Sequence, residues 1–363
     1  MKIAVVLGTR PEIIKTSMII KEIEKRGIDY FIIHTGQHYS YKMDWKFFEE
    51  LSLPEPKYNL GIRSKSPSHQ GDHTGRMMIS IEEDILKERP DIVLVQGDTN
   101  SVLAASLCTS KLKTAGMKMT LGHIEAGLRS FDRSMPEEIN RVVSDSLSDI
   151  LFAPTENSKK NLLNEDVKEE NIYVTGNTVV DAIEFFKNRI TNNILNEVGL
   201  RKNEYFLVTA HRQDNVDVKE RFTSMLEGIR RVCKEFGIVA VYPIHPRSKK
   251  MIESFGIKIP EEIRTIDPVG YLDFLSLQKN SRMIFTDSGG IQEEACVLGI
   301  PCITLRDNTE RQETVEVKSN IIAGIDPEKI VDSAKIMMNS DKNWSNPFGD
   351  GKTSQKILDI LER

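Results

Sequence analysis

Apolar positions along this chain fall into short unbroken runs separated by longer amphipathic stretches. Residues 2–7 are largely apolar and stop at Gly8, the pattern of a parallel strand buried on both faces. Thr9-Arg10-Pro11-Glu12 follows, with proline suited to a helical first turn, and Ile13, Ile20 and Ile23 then share one helical face up to Gly27. The same alternation predicts strands at 30–33, 91–95, 117–121, 150–153 and 172–175, with helices over 75–88, from Ser101 and from Pro136. It resumes with strands at 205–209, 238–244, 283–286, 302–305 and 320–323 and helices over 220–236, 271–278 and 352–362. Residues 51–74, rich in Pro, Gly, Ser and His without periodicity, read as a loop beside a site.

Two successive strand–helix runs argue for two doubly wound, Rossmann-like α/β domains, over 1–170 and 171–351, parted near the charged segment 164–171. Such sheets bind ligands outside the carboxyl ends of their strands. The polar residues gather there: Arg10, His34, Asp98, Glu125, His211, His245, Ser288 and Arg311. These loops are expected to line one interdomain cleft.

Composition changes this picture little. A length of 363 residues suits two domains, and 28% charged with 39% hydrophobic residues suits an ordinary soluble protein. A net charge of −5 argues against a nucleic-acid footprint. No apolar run has membrane-spanning length, and the first residues lack a signal-peptide cleavage pattern, so a cytoplasmic protein is expected. The four cysteines have no C-x-x-C spacing, which favours buried thiols over a zinc site or disulfide framework. No metal-ligand spacing appears either; magnesium carried by a substrate phosphate is the most that the pattern allows.

The stretch Met283–Ala295 holds the clearest chemistry. It reads as a strand, a small-residue turn and a helix. Asp287 and Ser288 are suited to cap that helix, Gly289 and Gly290 allow close backbone approach, and a helix start with unpaired N–H groups attracts phosphate. Glu294, one turn further in, is placed for a ribose hydroxyl. Arg311 is a phosphate clamp by residue type, and Arg10 and Lys15 open the first helix toward a diphosphate. Asp98, Glu125 and Glu137 are three carboxylates in one half and His211 follows a strand in the other; each alone reads as well as a cap or turn residue, but the set points to acid–base work. The first turn is not G-x-G-x-x-G, and both G-x-S-x-G and the P-loop are missing, which disfavours dehydrogenase, serine-hydrolase and nucleotide-hydrolysing readings.

Taken in order, Gly8-Thr-Arg-Pro-Glu-Ile-Ile-Lys15, Thr35-Gly-Gln-His38, Gln96-Gly-Asp-Thr99, His123-Ile-Glu-Ala-Gly-Leu-Arg129, Pro136-Glu-Glu-Ile-Asn-Arg141, Val174-Thr-Gly-Asn177, Ala210-His-Arg212, His245-Pro246, Thr286–Ala295 and Arg306–Arg311 closely resemble the non-hydrolysing UDP-N-acetylglucosamine 2-epimerases, over essentially the whole chain. The resemblance implies a GT-B fold, a last helix over 352–363 crossing back to the first domain, and a homodimer. It implies Asp98, Glu125, Glu137 and His211 as catalytic residues, and Arg10, Lys15, Phe274, Ser288, Gly289, Gly290, Glu294 and Arg311 as UDP-sugar contacts. Gln37, His38, Arg212 and His245 are similar to residues of a neighbouring effector position, although Tyr39–Lys42 and the loop 64–73 depart from the common pattern. UDP-GlcNAc and UDP-ManNAc are then the expected ligands, with no redox cofactor. The hydrolysing epimerases, the GT-B glycosyltransferases and a UDP-sugar sensor are the competing readings.

Overall fold

The structure, a computed structural model, describes residues 1–36, 41–63 and 69–363, and the side chains of these except 41–44. By internal packing the chain divides into two units, Met1–Phe185 with Phe348–Arg363, and Phe186–Pro347. In the first, β1 (Lys2–Leu7), α1 (Arg10–Lys25), β2 (Asp29–His34), α2 (Tyr41–Glu50) and β3 (Tyr58–Asn59) lead to α3 (Gln70–Glu88) and β4 (Ile92–Gln96). There follow α4 (Asn100–Thr114), β5 (Thr120–Ile124), α5 (Pro136–Leu147), β6 (Ile150–Ala153), α6 (Glu156–Asn164), β7 (Ile172–Val174) and α7 (Thr178–Phe186). The strands form one parallel sheet in the order β3-β2-β1-β4-β5-β6-β7, so the strand order reverses between β1 and β4.

Side chains alternate across a strand, and here both faces are covered, which is why the apolar runs are unbroken. Ala4, Val6, Phe31, Ile33, Val93 and Val95 pack with Met77, Ile81 and Ile85 of α3 and Ala104 and Ala105 of α4. Ile3, Val5 and Leu7 point the other way and are equally buried, as are Ile13, Ile20 and Ile23 of α1.

The second unit repeats the arrangement. It comprises α8 (Asn193–Glu197), β8 (Tyr205–Thr209), α9 (Gln213–Val216), α10 (Lys219–Phe236), β9 (Val239–Pro243), α11 (Pro246–Phe255) and β10 (Ile263–Ile266). Then come α12 (Tyr271–Asn280), β11 (Met283–Thr286), α13 (Gly289–Leu298), β12 (Cys302–Thr304), α14 (Gln312–Glu316), β13 (Asn320–Ile322) and α15 (Pro327–Met338). Its parallel sheet runs β10-β9-β8-β11-β12-β13 and reverses between β8 and β11. Phe206 and Val208 face a core under α10 and α15, while Tyr205 and Leu207 face Leu277 and Ala295 of α12 and α13.

The last helix, α16 (Thr353–Leu361), packs on α1 of the first unit. Asp181 of α7 accepts from the backbone N–H groups of Thr353 (3.0 Å) and Ser354 (2.7 Å), capping that helix from another element. Arg26 pairs with Asp359 and Glu362 at its other end.

Some elements differ from the sequence reading. The strand expected at 117–121 runs instead over Thr120–Ile124, because the His123 ring is hydrogen-bonded at both nitrogens and can be buried within the strand. The stretch 51–74 contains the short edge strand β3 and the first turn of α3. Periodicity does not announce α2, α11, β10 or α15. Strand β7 adds to the edge of β6 and α7 goes with it up to Phe185, so the units divide at the end of α7 and not near residue 170. All four cysteines are buried free thiols. Among the described residues no helix is long and apolar enough to cross a membrane, and no cluster of His, Cys, Asp and Glu is arranged to hold a metal ion.

Candidate active site

Each switch point carries polar side chains on the loops that leave its strands. In the first unit, β1 ends under Gly8, where an added Cβ would come 2.1 Å from Thr35 Oγ1 and 2.3 Å from Ser101 Oγ. Only glycine lets the turn lie that close to α4. Arg10 begins α1 with its guanidinium 5.1 Å from the centre of the Phe47 ring. Glu12, one turn into the helix and almost fully buried, accepts from Gly8 N (3.0 Å) and Thr99 Oγ1 (2.8 Å), joining the loops after β1 and β4. Burial pushes its carboxyl up, the bonds from Thr9, Thr99 and Gly8 offset only part of that, and the nearby Asp98 adds to it, so Glu12 titrates at about 7.

Glu125 follows β5 in the left-handed region, φ 70°, a conformation that costs a non-glycine residue about 1–3 kcal/mol and is held here because its own N–H and that of Ala126 both donate to Phe152 O. Its buried carboxylate receives Lys15 Nζ at 2.5 Å, Asn177 Nδ2 at 3.4 Å and the Gln96 amide. Asp98, on the loop after β4, accepts from Arg141 of α5, and its backbone carbonyl accepts from Asn140 Nδ2 at 2.9 Å. Arg141 also donates to Glu138 (2.7 Å), which in turn receives the N–H groups of Ser130 and Phe131. Glu137 stands half-buried in the first turn of that same helix. The first unit thus brings Lys15 to Glu125 and ties Asp98 to the helix of Glu137.

In the second unit the loops after β8 and β11 are joined by Asp287. This fully buried carboxylate accepts from the backbone N–H groups of His211 (3.0 Å) and Arg212 (2.9 Å). It therefore does not cap α13, as the sequence suggested, and the Ser288 side chain makes no cap bond either. The paired N–H groups of the neighbouring loop are the stronger claim on the carboxylate, and the first N–H groups of α13 are left without a side-chain cap. Arg311 lies over that helix start: a Cβ on Gly289 would sit 3.3 Å from its Cζ. Its Nε donates to Glu293 at 2.9 Å. Glu310 is paired with Arg306 at 2.9 Å and lies 3.7 Å from Arg212 and 3.9 Å from Arg311. Three guanidinium groups stand among the carboxylates of Asp287, Glu293 and Glu310, and with the positive end of a helix beside them the place suits an anion.

His211 is partly exposed, with its ring 3.6 Å from Asp287 and 5.4 Å, centre to centre, from that of His245. His245 Nδ1 accepts from Arg247 N (3.2 Å). Arg212 and His245, expected at an effector position, thus stand at the same strand ends as His211, whereas Gln37 and His38 lie outside the described residues. Glu294 accepts from Gln278 Nε2 at 2.5 Å, and Phe274 packs on the Leu207–Leu277–Ala295 cluster of the same unit.

Several residues that shape these sites were not singled out by sequence. Gln96, Arg141 and Asn177 lie inside the recognised motifs, so their signal was present. Glu12, Glu293 and Glu310 lie in those motifs too but look like ordinary helix or loop acids, and Asp287 was read as a helix cap; their burial against specific donors gives them their roles.

Two doubly wound parallel α/β units, each with its polar groups gathered where the strand order reverses, define a two-domain protein of the GT-B kind. The family model described as UDP-N-acetylglucosamine 2-epimerase matches residues 21–362. The chain belongs to that family, a family of isomerases. It is 53% identical to the UDP-N-acetylglucosamine 2-epimerase of Methanocaldococcus jannaschii, with 99% of each chain covered. It is also 42% identical, over 100% of both chains, to the UDP-2,3-diacetamido-2,3-dideoxy-D-glucuronate 2-epimerase of Pseudomonas aeruginosa. The crystal structure of the Methanocaldococcus jannaschii UDP-GlcNAc 2-epimerase in complex with UDP-GlcNAc and UDP superposes with a TM-score of 0.93 at 52% identity, covering 100% of this chain and 99% of that one.

Proposed function

We propose that this protein interconverts UDP-N-acetylglucosamine and UDP-N-acetylmannosamine without net hydrolysis. The observation that carries the reading is the start of α13, where Arg311 lies over Gly289 beside uncapped helix N–H groups, in a chain whose relatives are named for UDP-sugar epimerisation. The second unit takes the diphosphate through Ser288, Gly289, Gly290 and Arg311, with Glu294 toward the ribose and Phe274 nearby; Arg10 is counted among the UDP-sugar contacts on the sequence resemblance.

The hydrogen at C2 of the sugar is weakly acidic, because no carbonyl carbon adjoins it. Breaking the C1–O bond first, with the electron pair leaving on UDP, gives C1 oxocarbenium character and makes that hydrogen acidic. A base then takes the proton and C1=C2 forms. Re-addition of UDP oxygen to C1, with a proton delivered to the other face of C2, inverts the centre and restores the electron count. Asp98, Glu125, Glu137 and His211 are the groups we assign to these proton transfers, and preorganised positive charge stabilises the departing diphosphate. Lys15, which the resemblance places among the sugar-nucleotide contacts, donates to Glu125 and links the two sets. A homodimer and an effector position at Gln37, His38, Arg212 and His245 belong to the same proposal and rest on the sequence resemblance; a cytoplasmic setting belongs to it too and rests on the hydropathy and cysteine pattern of the chain.

Proton NMR of UDP-GlcNAc with the purified protein in D2O, without added cofactor, tests it. UDP-ManNAc carrying deuterium at C2 is the expected product, and Asp98→Asn should slow its appearance by about 10²–10⁴-fold. Free ManNAc with UDP would instead identify a hydrolysing enzyme, and an unchanged spectrum would overturn epimerisation of this sugar. The Pseudomonas aeruginosa relative supports a second reading, the same inversion on a UDP-diacetamido-uronate. Competition between the two sugar nucleotides separates them.

A further inference from the structure

His123 lies on β5 two residues before Glu125 and has no exposed surface. Its Nε2 is 2.8 Å from Gly97 O, and a carbonyl oxygen only accepts, so Nε2 carries a hydrogen. Its Nδ1 is 2.7 Å from Asp145 Oδ1. Asp145 also accepts from Gly127 N at 3.1 Å and lies 2.7 Å from the Arg129 guanidinium. A buried carboxylate with those partners is ionised and can only accept, so Nδ1 carries a hydrogen too. We propose that His123 is held as a permanent imidazolium that positions the loops bearing Asp98 and Glu125.

The surroundings keep that charge balanced. Asp145 comes from α5, Arg129 from the segment after β5, and Glu165, from the end of α6, pairs with Arg129 at 2.8 and 2.6 Å. Two cations face two carboxylates, the condition for retaining buried charge. Burial alone pulls the imidazole down, but the Asp145 charge and hydrogen bond and the Gly97 carbonyl outweigh it and raise the group above its ordinary value. Burial likewise pushes Asp145 up, and His123 and Arg129 outweigh it and hold the carboxyl below its ordinary range.

The consequence falls on the loop after β4. Gly97 has φ 83°, its N–H donates to Ile124 O at 3.0 Å, and its C=O accepts from His123. Gly97 is thus held by β5 through both its N–H and its C=O, directly before Asp98 and against Glu125, whose Oε2 would be 3.5 Å from a Cβ at Gly97. A neutral imidazole would set its one bare nitrogen against either Gly97 O or Asp145 Oδ1 and so lose the bond to the loop after β4 or the bond to α5. His123 is a positioning residue; its catalytic effect rests on the function proposed above, whereas its charge state does not.

Two measurements test the two parts separately. In ¹⁵N NMR of the wild-type protein with labelled histidine, one of the seven histidines should show hydrogens on both ring nitrogens and should not titrate between about pH 6 and pH 9, across the range where a free imidazole with pKa about 6.5 is lost. The signal should vanish in His123→Asn and should begin to titrate in that range in Asp145→Asn. A His123 nitrogen without hydrogen, or ordinary titration, overturns the imidazolium, and this arm needs no turnover. For His123→Asn, which keeps one donor but not the charge, kcat should fall about 100-fold with KM within about 3-fold of wild type. Near wild-type kcat, or absence of epimerisation in the wild-type protein, overturns the positioning role and leaves the NMR result to stand by itself.

Discussion

Glu12→Gln should flatten a pH dependence that burial builds into the first unit. Glu12 titrates at about 7 when folded, against an ordinary 4.5, because desolvation exceeds the help it receives from Gly8, Thr9 and Thr99. The folded chain therefore holds a proton over a range in which the unfolded chain has lost it. The sign follows: the stability tied to this group is fully present below about pH 4.5 and is lost as pH rises through about 7. At about 1.4 kcal/mol per pH unit the full difference is on the order of 3 kcal/mol, of which roughly 2–3 kcal/mol falls between pH 5 and pH 8. Glutamine keeps the shape and does not titrate, and the Thr99 hydroxyl can turn to accept from its amide. The two tryptophans, Trp45 and Trp344, lie one in each unit, so a Trp344→Phe background leaves Trp45 fluorescence reporting on the first unit alone. Urea unfolding at pH 5 and pH 8 should show wild type losing about 2–3 kcal/mol relative to Glu12→Gln. Parallel behaviour, within about 0.5 kcal/mol, would refute the claim that this carboxyl is protonated in the fold near neutral pH.

Two further outcomes follow from single contacts. In Gly289→Ala the new Cβ meets Arg311 Cζ at 3.3 Å, and the guanidinium, tied to Glu293, must give way; UDP affinity by calorimetry should weaken about tenfold, worth about 1.4 kcal/mol, and unchanged affinity would remove this helix start from the diphosphate site. Lys15→Met takes the ammonium from the buried Glu125 carboxylate and should cost about 3–5 kcal/mol in thermal or urea unfolding. Adding Glu125→Gln should recover part of that loss, because no uncompensated charge then remains, and strictly additive losses would show that the pair is not coupled.

The α/β rhythm and the positions of most strands were legible because a parallel strand covered on both faces must be apolar at successive positions. The Ile13–Ile20–Ile23 face and the runs at 205–209 and 283–286 became buried helix and strands as written. Motif residues such as Asp98, His211 and Ser288 were marked by falling just after those runs. The strand at 117–121 was misplaced by the polar His123, since sequence does not display the Asp145 and Gly97 oxygens that satisfy its ring.

By itself, then, the order of residues determined which segments could be strand or helix and which polar types stood at their ends, since periodicity and turn chemistry are local. Only the tertiary structure decided partnership. Asp287 serves the His211 and Arg212 backbone and not its own helix, Lys15 meets Glu125 across 110 residues, and Asp181 caps a helix 172 residues away. Charge state and burial depend on what lies nearby in space, and those neighbours are brought together by the order of strands in each sheet.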